Sequence, residues 1–240
     1  MRVPYGMELV EDCKTCAMRK DGFFCQLPGP ALNAFINVKF TTTYPGDAVL
    51  FVEGQDPRGV YMLCKGRVKL TMDSADGKTL IVRICEPGEI LGAQAAVSGE
   101  PYELTAEALQ PCQVDFIRRE DFLKLLHDHP AVTVAVMRQL STSYRRACQE
   151  IRYLGLSRSA SEKVAQFLLQ TASNGRQTNQ GKRFHLGLTH EEISQIVGIS
   201  RETVTRTMTE FKTKDLIATQ GSTVFIRDES GLKAQAAAVA

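Results

Sequence analysis

No apolar run in this 240-residue chain approaches the roughly 20 residues that span a bilayer. The opening stretch Met1-Arg2-Val3-Pro4-Tyr5-Gly6-Met7-Glu8 has no apolar signal-peptide core. Both lacks predict a cytoplasmic protein with no membrane partner. Histidine is scarce, with four copies at His127, His129, His185 and His190, and none makes a nucleophile–base pair of recognisable spacing. There is no phosphate-binding glycine loop and no zinc-hydrolase motif, so the chain is not expected to be an enzyme. His127-x-His129 could form a metal pair, but a solvated helix end is the simpler reading. No repeat of solenoid length occurs. The net charge is only +2. The lean lies at the C-terminal end, where residues from Ser157 onward carry 11 Lys+Arg against 8 Asp+Glu. That permits a nucleic-acid surface without proving one.

Cysteine, by contrast, is plentiful: Cys13, Cys16, Cys25, Cys64, Cys85, Cys112 and Cys148. An odd number without a secretion signal disfavours a disulfide framework and points to metal or redox chemistry. The pattern of the chain divides it into a cysteine-containing arm at 1–30, a sensor domain at 31–128, a long helix at 129–157, a second domain at 158–230 and a tail at 231–240. After Pro28-Gly29-Pro30 a short helix is expected over Ala31–Val38. Residues 40–117 read as all-β, a sandwich or closed barrel, with strands at Val60–Leu63, Arg67–Met72 and Thr79–Cys85 around an Asp-Gly turn at 73–78. Residues 119–128 read as a short helix, and Pro130 suits the first turn of a long one. Along it Met137, Leu140, Tyr144, Ala147, Ile151 and Leu154 step by heptad spacing. This is either a dimer seam or the buried face of a helix packed on its own domain. Arg138, Arg145, Arg146 and Arg152 mark its polar face, and Gly155 and Ser157 its end. Cys64, Cys85 and Cys148 are expected to be packing residues. Ser161–Ala172 reads as a helix, Ser173–Lys182 as a polar loop, Phe184–Leu188 as a strand, and Ala234–Ala240 as a frayed tail.

The most informative stretch begins at Leu188. Thr189 followed by Glu192 is a capping box that starts a helix with Ile193, Ile196 and Val197 buried. Gly198 ends that helix in a tight turn. Ser200 caps the next, which buries Val204, Met208 and Phe211. Two short helices about one glycine turn form a helix-turn-helix. The exposed first turns of the second carry Arg201, Glu202, Thr205 and Arg206, where a recognition helix presents side chains to the major groove. Arginine suits guanine O6 and N7, and glutamate accepts from cytosine N4. A surface helix merely solvated by these charges is the bland alternative. Asp215–Arg227 reads as a hairpin, the wing.

These residues resemble the bacterial cyclic-AMP receptor protein / fumarate–nitrate regulator (Crp/Fnr) superfamily over nearly the whole chain. Ile199-Ser200-Arg201-Glu202-Thr203-Val204-Thr205-Arg206 resembles its recognition-helix signature. Tyr61…Lys65-Gly66-Arg67-Val68, Asp76-Gly77-Lys78 and Pro87-Gly88-Glu89-Ile90-Leu91-Gly92 match its effector domain. The resemblance implies an α+β chain: a double-stranded β-roll of cyclic-nucleotide-binding-like jelly-roll type, a long dimerisation helix and a winged helix-turn-helix. It also implies a homodimer on palindromic double-stranded DNA, acting on RNA polymerase. Base reading carries over to Arg201, Glu202 and Arg206 with Thr205 nearby, and phosphate contact to Thr189, Ser200 and Thr203. The Arg-Glu-x-x-x-Arg order predicts a half-site close to TGTGA rather than TTGAT. A helix-turn-helix module that no longer binds DNA is disfavoured by the intact Arg201/Glu202/Arg206 set.

Two effectors are weighed within the resemblance. A cyclic-nucleotide pocket needs a glutamate for the ribose, and an arginine with a serine or threonine for the phosphate. Those positions fall on Ala93 and near Tyr102-Glu103, and no arginine lies between Arg83 and Arg118. Cyclic AMP is therefore not expected, although another small molecule could occupy the roll. The second effector is a metal cluster. Oxygen-sensing members resemble the Cys13-x2-Cys16-x8-Cys25 arm, with Cys112 as the fourth ligand of a [4Fe–4S] cluster. Thiolates are the soft ligands such a cluster needs, and Lys14, Arg19 and Lys20 add positive charge. The implied function is sensing of oxygen, nitric oxide or redox state. Zinc, a redox disulfide and a vestigial site remain open for the arm, and simple packing for Cys112.

Overall fold

Short, glycine-punctuated runs rich in β-branched residues build two four-stranded antiparallel sheets, which form an open roll and not a closed barrel. In chain order the strands are β1 (Phe40–Tyr44), β2 (Val49–Phe51), β3 (Gly59–Lys65), β4 (Val68–Asp73), β5 (Thr79–Cys85), β6 (Ile90–Leu91), β7 (Thr105–Ala108) and β8 (Cys112–Arg118). One sheet has the order β1-β8-β3-β6 and the other β2-β7-β4-β5. This computed structural model describes residues 4–10, 12–16, 25–156 and 159–237, without the side chains of 150, 152–156, 174 and 237. The chain divides into two compact units, Met1–Ala147 and Cys148–Ala240.

The period-2 alternation of strands sorts side chains between two cores of the first unit. On β3, Tyr61 and Leu63 enter the core between the sheets with Val68, Cys85, Cys112 and Val114. Val60 and Met62 face the opposite way, into a core lined by Ala93 and Ala96 and closed by three further helices. These are α1 (Gly29–Val38), α3 (Arg119–Asp128) and the start of α4 (Pro130–Leu156). Cover on both faces is why β3 reads as a nearly continuous apolar run. A further short helix, α2 (Ala93–Ser98), was not legible in the sequence. Its Ala93, Ala95 and Ala96 are buried, with a left-handed glycine at each end.

The second unit packs α5 (Ala160–Thr171), α6 (His190–Val197) and α7 (Arg201–Thr213) against a sheet of order β11-β12-β10-β9. Its strands are β9 (Arg176–Thr178), β10 (Gly181–His185), β11 (Ile217–Gln220) and β12 (Thr223–Ile226). The expected loop at Ser173–Lys182 therefore contains one strand and the start of another. The strand placed at Phe184–Leu188 begins earlier, at Gly181, because its partner β12 pairs Lys182 with Ile226. The expected frayed tail is corrected too. Helix α8 (Glu229–Ala237) covers most of it. The Asp228 carboxylate accepts from the Gly231 N–H at 2.8 Å, Leu232 is fully buried, and Gln166 Nε2 donates to Ala236 O at 3.1 Å. An alanine-rich run has high helix propensity once one apolar side chain finds a core. Residues 238–240, Arg19, Lys20, Ser157 and the side chains of Arg152 and Leu154 lie outside the described residues.

Candidate nucleic-acid interface and thiol pocket

The helix-turn-helix forms as its capping residues dictate. Thr189 Oγ1 accepts from the Glu192 N–H at 3.1 Å, and the Glu192 carboxylate accepts from the Thr189 N–H at 2.7 Å. Such a cap stabilises a helix by about 1 kcal/mol. Gly198, at φ 65°, ends α6 with its N–H on Ser194 O at 2.9 Å. Ser200 Oγ then accepts from the Thr203 N–H at 3.2 Å and opens α7. Val204, Thr207, Met208 and Phe211 bury one side of α7, so Arg201, Glu202, Thr205 and Arg206 are exposed on the other. Hydrogen bonds from its own backbone and from Ser200 hold the Glu202 carboxyl below the usual range, so it stays charged.

One residue of this surface escaped the sequence reading. His190 is half-buried, with Nδ1 2.8 Å from Thr205 Oγ1. The same Thr205 hydroxyl also lies 3.0 Å from Arg201 O. Burial, then Lys212 and Arg201, push the His190 pKa down. Among the described residues, Thr205 is the one of the four predicted base readers with a hydrogen bond to α6. Thr189 and Ser200 cap the N-terminal ends of α6 and α7, and Thr203 stands in the first turn of α7, half-buried.

At the other end of the chain the arm is tethered to β8. The Val10 N–H donates to Gln113 Oε1 at 2.7 Å, and Gln113 Nε2 donates to Val10 O at 2.7 Å. Beside this clamp, Cys13, Cys16 and Cys25 line an apolar pocket with Leu32, Phe35, Met62, Cys64 and Asp115. Asp115, wholly buried, bonds Lys39 Nζ at 2.7 Å and accepts from Thr41 Oγ1 at 2.5 Å. The Cys64 thiol donates to it at 3.4 Å and the Cys13 thiol at 3.9 Å. Burial, then the Asp115 charge, push the Cys64 thiol up; burial also raises Cys13, against the lowering effect of Lys39. For the Lys39 ammonium, burial is outweighed by its bond to Asp115, and its pKa rises.

Two family models match the chain: a cyclic nucleotide-binding domain over residues 41–129 and a Crp-like helix-turn-helix domain over residues 162–235. The chain belongs to the Crp/Fnr family of DNA-binding transcriptional regulators. Such a regulator from Mycobacterium tuberculosis, a CRP-like cAMP-activated global transcriptional regulator, is 26% identical over 220 residues, 91% of this chain and 98% of its own. The nitrogen fixation regulation protein FixK of Azorhizobium caulinodans is 28% identical, covering 77% of this chain and 74% of its own. Among solved structures, FixK2 from Bradyrhizobium japonicum shares the fold at a TM-score of 0.73 and 24% identity, covering 85% of this chain and 100% of its own.

In this Crp/Fnr chain the effector positions differ from expectation in instructive ways. Cys112 does not join the arm cysteines. It is wholly buried in the core between the sheets with Val114, whereas Gln113 and Asp115 face the arm. Strand alternation alone separates them. A Cβ on Gly66 would stand 2.7 Å from Cys112 Cβ, so this side is closed as well. Burial raises the Cys112 thiol to about 11. Cys85 is buried as expected, but Cys148 is exposed and Cys64 lines the arm pocket. Among the described residues, no three His, Cys, Asp or Glu side chains stand in an arrangement that holds a metal ion. The donor set still suits one, with soft sulfurs in an apolar pocket and a lysine cation to offset their charge.

In the roll, Tyr102 is buried, stacks on Phe51 at 4.1 Å and donates to Gly59 O at 2.8 Å, while Glu103 is exposed. A polar joint between the roll and α4 carries no motif in the sequence. Arg83 pairs with Glu89 and donates to Ser143 Oγ at 2.8 Å. Arg146 reaches Glu89 at 3.0 Å. The buried Gln139 side chain bonds both the N–H and the C=O of Ile90, at 3.0 and 2.6 Å. Polar residues spaced along an otherwise apolar helix face were the available signal.

Proposed function

We propose that this regulator binds a palindromic DNA site as a cytoplasmic homodimer, acts with RNA polymerase, and senses oxygen, nitric oxide or redox state through an iron–sulfur cluster on its arm cysteines. The observation that carries the DNA reading is the exposed face of α7, where Arg201, Glu202 and Arg206 stand clear of the core that holds the helix. Arg201, Glu202, Thr205 and Arg206 read bases. Thr189, Ser200 and Thr203 contact phosphates, and so govern affinity and salt dependence more than sequence choice. Dimerisation through α4 is supported by the exposure of Met137 (56%), Tyr144 (74%) and Ile151 (72%), apolar side chains left uncovered along the heptad stripe. Ala147 is exposed beside them and Leu140 half-buried.

The cluster reading is supported by Cys13, Cys16 and Cys25 lining one pocket. Cyclic AMP is not the effector in this reading, because Tyr102 and Glu103 stand where the phosphate partners belong. Selection from a random duplex pool tests the DNA reading, with recovery of a TGTGA-like inverted repeat expected and no enriched sequence refuting it. Anaerobic purification followed by iron, sulfide and zinc analysis tests the cluster. Zinc without iron would move the signal to thiol–zinc chemistry.

A further inference from the structure

We propose that the fourth thiolate of the arm's metal centre is Cys64 on β3, and not Cys112. The inference deepens the cluster reading and rests on it. Cys64 lines the same pocket as Cys13, Cys16 and Cys25, whereas Cys112 belongs to the core on the other face of the sheet. Bringing Cys112 to the arm would require β8 to turn over within a sheet where it is paired on both sides, to β1 and β3. Cys64 needs no such movement. The register of β3 against β8 shifts between Leu63 and Lys65, so Cys64 sits at an irregularity beside Asp115.

The chemistry around the pocket matches. Asp115 accepts hydrogen bonds from the Cys64 and Cys13 thiols. Metal binding replaces each S–H with a metal–sulfur bond and releases the proton to solvent. Asp115 then keeps Lys39 and Thr41, so its buried carboxylate is never stranded. Among the described residues the sulfurs do not stand in a ligating arrangement, and of the four Cys64 is the one fixed in the sheet.

The test uses the full-length chain, reconstituted anaerobically with iron(II) and sulfide. Bound iron, acid-labile sulfide and thiolate-to-iron absorbance are compared among wild type, Cys64→Ser, Cys64→Ala, Cys112→Ser and the exposed control Cys148→Ser. Circular dichroism verifies that each variant is folded, and the serine variant keeps the size of the side chain. Both Cys64 variants are expected to lose at least about tenfold in retained iron, while Cys112→Ser and Cys148→Ser match wild type. Retention by folded Cys64→Ser, or an equal loss in Cys112→Ser, overturns the proposal. If wild type takes up no iron, the cluster reading has failed by itself. The same variants are then titrated with cobalt(II), whose thiolate charge-transfer bands report sulfur ligation. Bands that weaken in the Cys64 variants and persist in Cys112→Ser support the assignment, and bands absent or indifferent to Cys64 overturn it.

Discussion

Arg201→Ala isolates sequence reading from folding. Arg201 is the first residue of α7 and exposed, so its truncation leaves the Ser200 cap and the buried Val204, Met208 and Phe211 in place. Unfolding free energy should therefore change by less than about 0.5 kcal/mol, the usual range for a surface position. At about 1.5 Å of rise per residue, Arg201 and Arg206 lie about 7.5 Å apart along the axis, or about two base steps of 3.4 Å. In the proposed DNA reading each arginine therefore addresses its own base pair. A two-pronged guanine contact discriminates by about 1–3 kcal/mol. Two half-sites in a dimer double that to about 2–6 kcal/mol, about 30-fold to 10⁴-fold in affinity for the selected duplex. Fluorescence anisotropy at fixed salt measures the loss, and repeating the selection with the variant shows where preference relaxes. One position per half-site should lose its guanine. If affinity instead falls by the same factor on every sequence, Arg201 contacts phosphate and the base assignment is wrong.

Other perturbations probe the remaining parts. Tyr144→Asp places a charge in the exposed stripe of α4; sedimentation should show a monomer that binds the palindrome at least about tenfold more weakly, and an unchanged dimer would remove α4 as the seam. Gln139→Ala strips the side-chain partners from the N–H and C=O of Ile90. At about 1–3 kcal/mol per stranded group, the first unit should lose about 2–6 kcal/mol in urea melts followed by circular dichroism, and a loss under about 0.5 kcal/mol would show that the pair is not structural. For His190, the folded pKa lies below the unfolded value of about 6.5. Below that value the unfolded chain takes a proton that the folded chain refuses, so stability falls with pH until the folded pKa is passed. His190→Gln should flatten that fall between pH 7.5 and 5.5; an identical pH dependence in the variant would assign the effect elsewhere.

What could be read from the chain, and what could not, follows from the range of the interactions. The helix-turn-helix was legible because its signals are local: Thr189 and Glu192 three residues apart, a glycine at the turn, Ser200 at the next cap. The Ser74–Lys78 turn was legible for the same reason, with Gly77 in its left-handed position and its N–H on Ser74 O at 2.9 Å. The α8 helix was not, since a run of alanines carries no periodicity and its anchor, Leu232, finds its core only in three dimensions. Nor was the thiol pocket. Cys64 and Asp115 are 51 residues apart and meet because β3 pairs with β8. Family position singled out Cys112, while the parity of a strand, which no motif encodes, turned its sulfur to the far face.

The same parity sets out the physical connection between pocket and helix. Two residues before Cys64, Met62 pairs across the sheet with Ile90, and both backbone groups of Ile90 are held by Gln139 of α4. One residue earlier Glu89 is gripped by Arg83 and Arg146. A strand buried on both faces has no slack, because close-packed interiors transmit displacement instead of absorbing it. The chain of contacts from Cys64 thus runs along β3 to Met62, across to Ile90 of β6 and, through Gln139, to the face of α4 next to the exposed stripe. Cys112 instead packs between the sheets, on the face of β8 turned away from the core that α4 closes. Sulfur placement and helix attachment converge on one strand, and removing the Gln139 bonds should leave metal uptake intact while uncoupling it from DNA affinity.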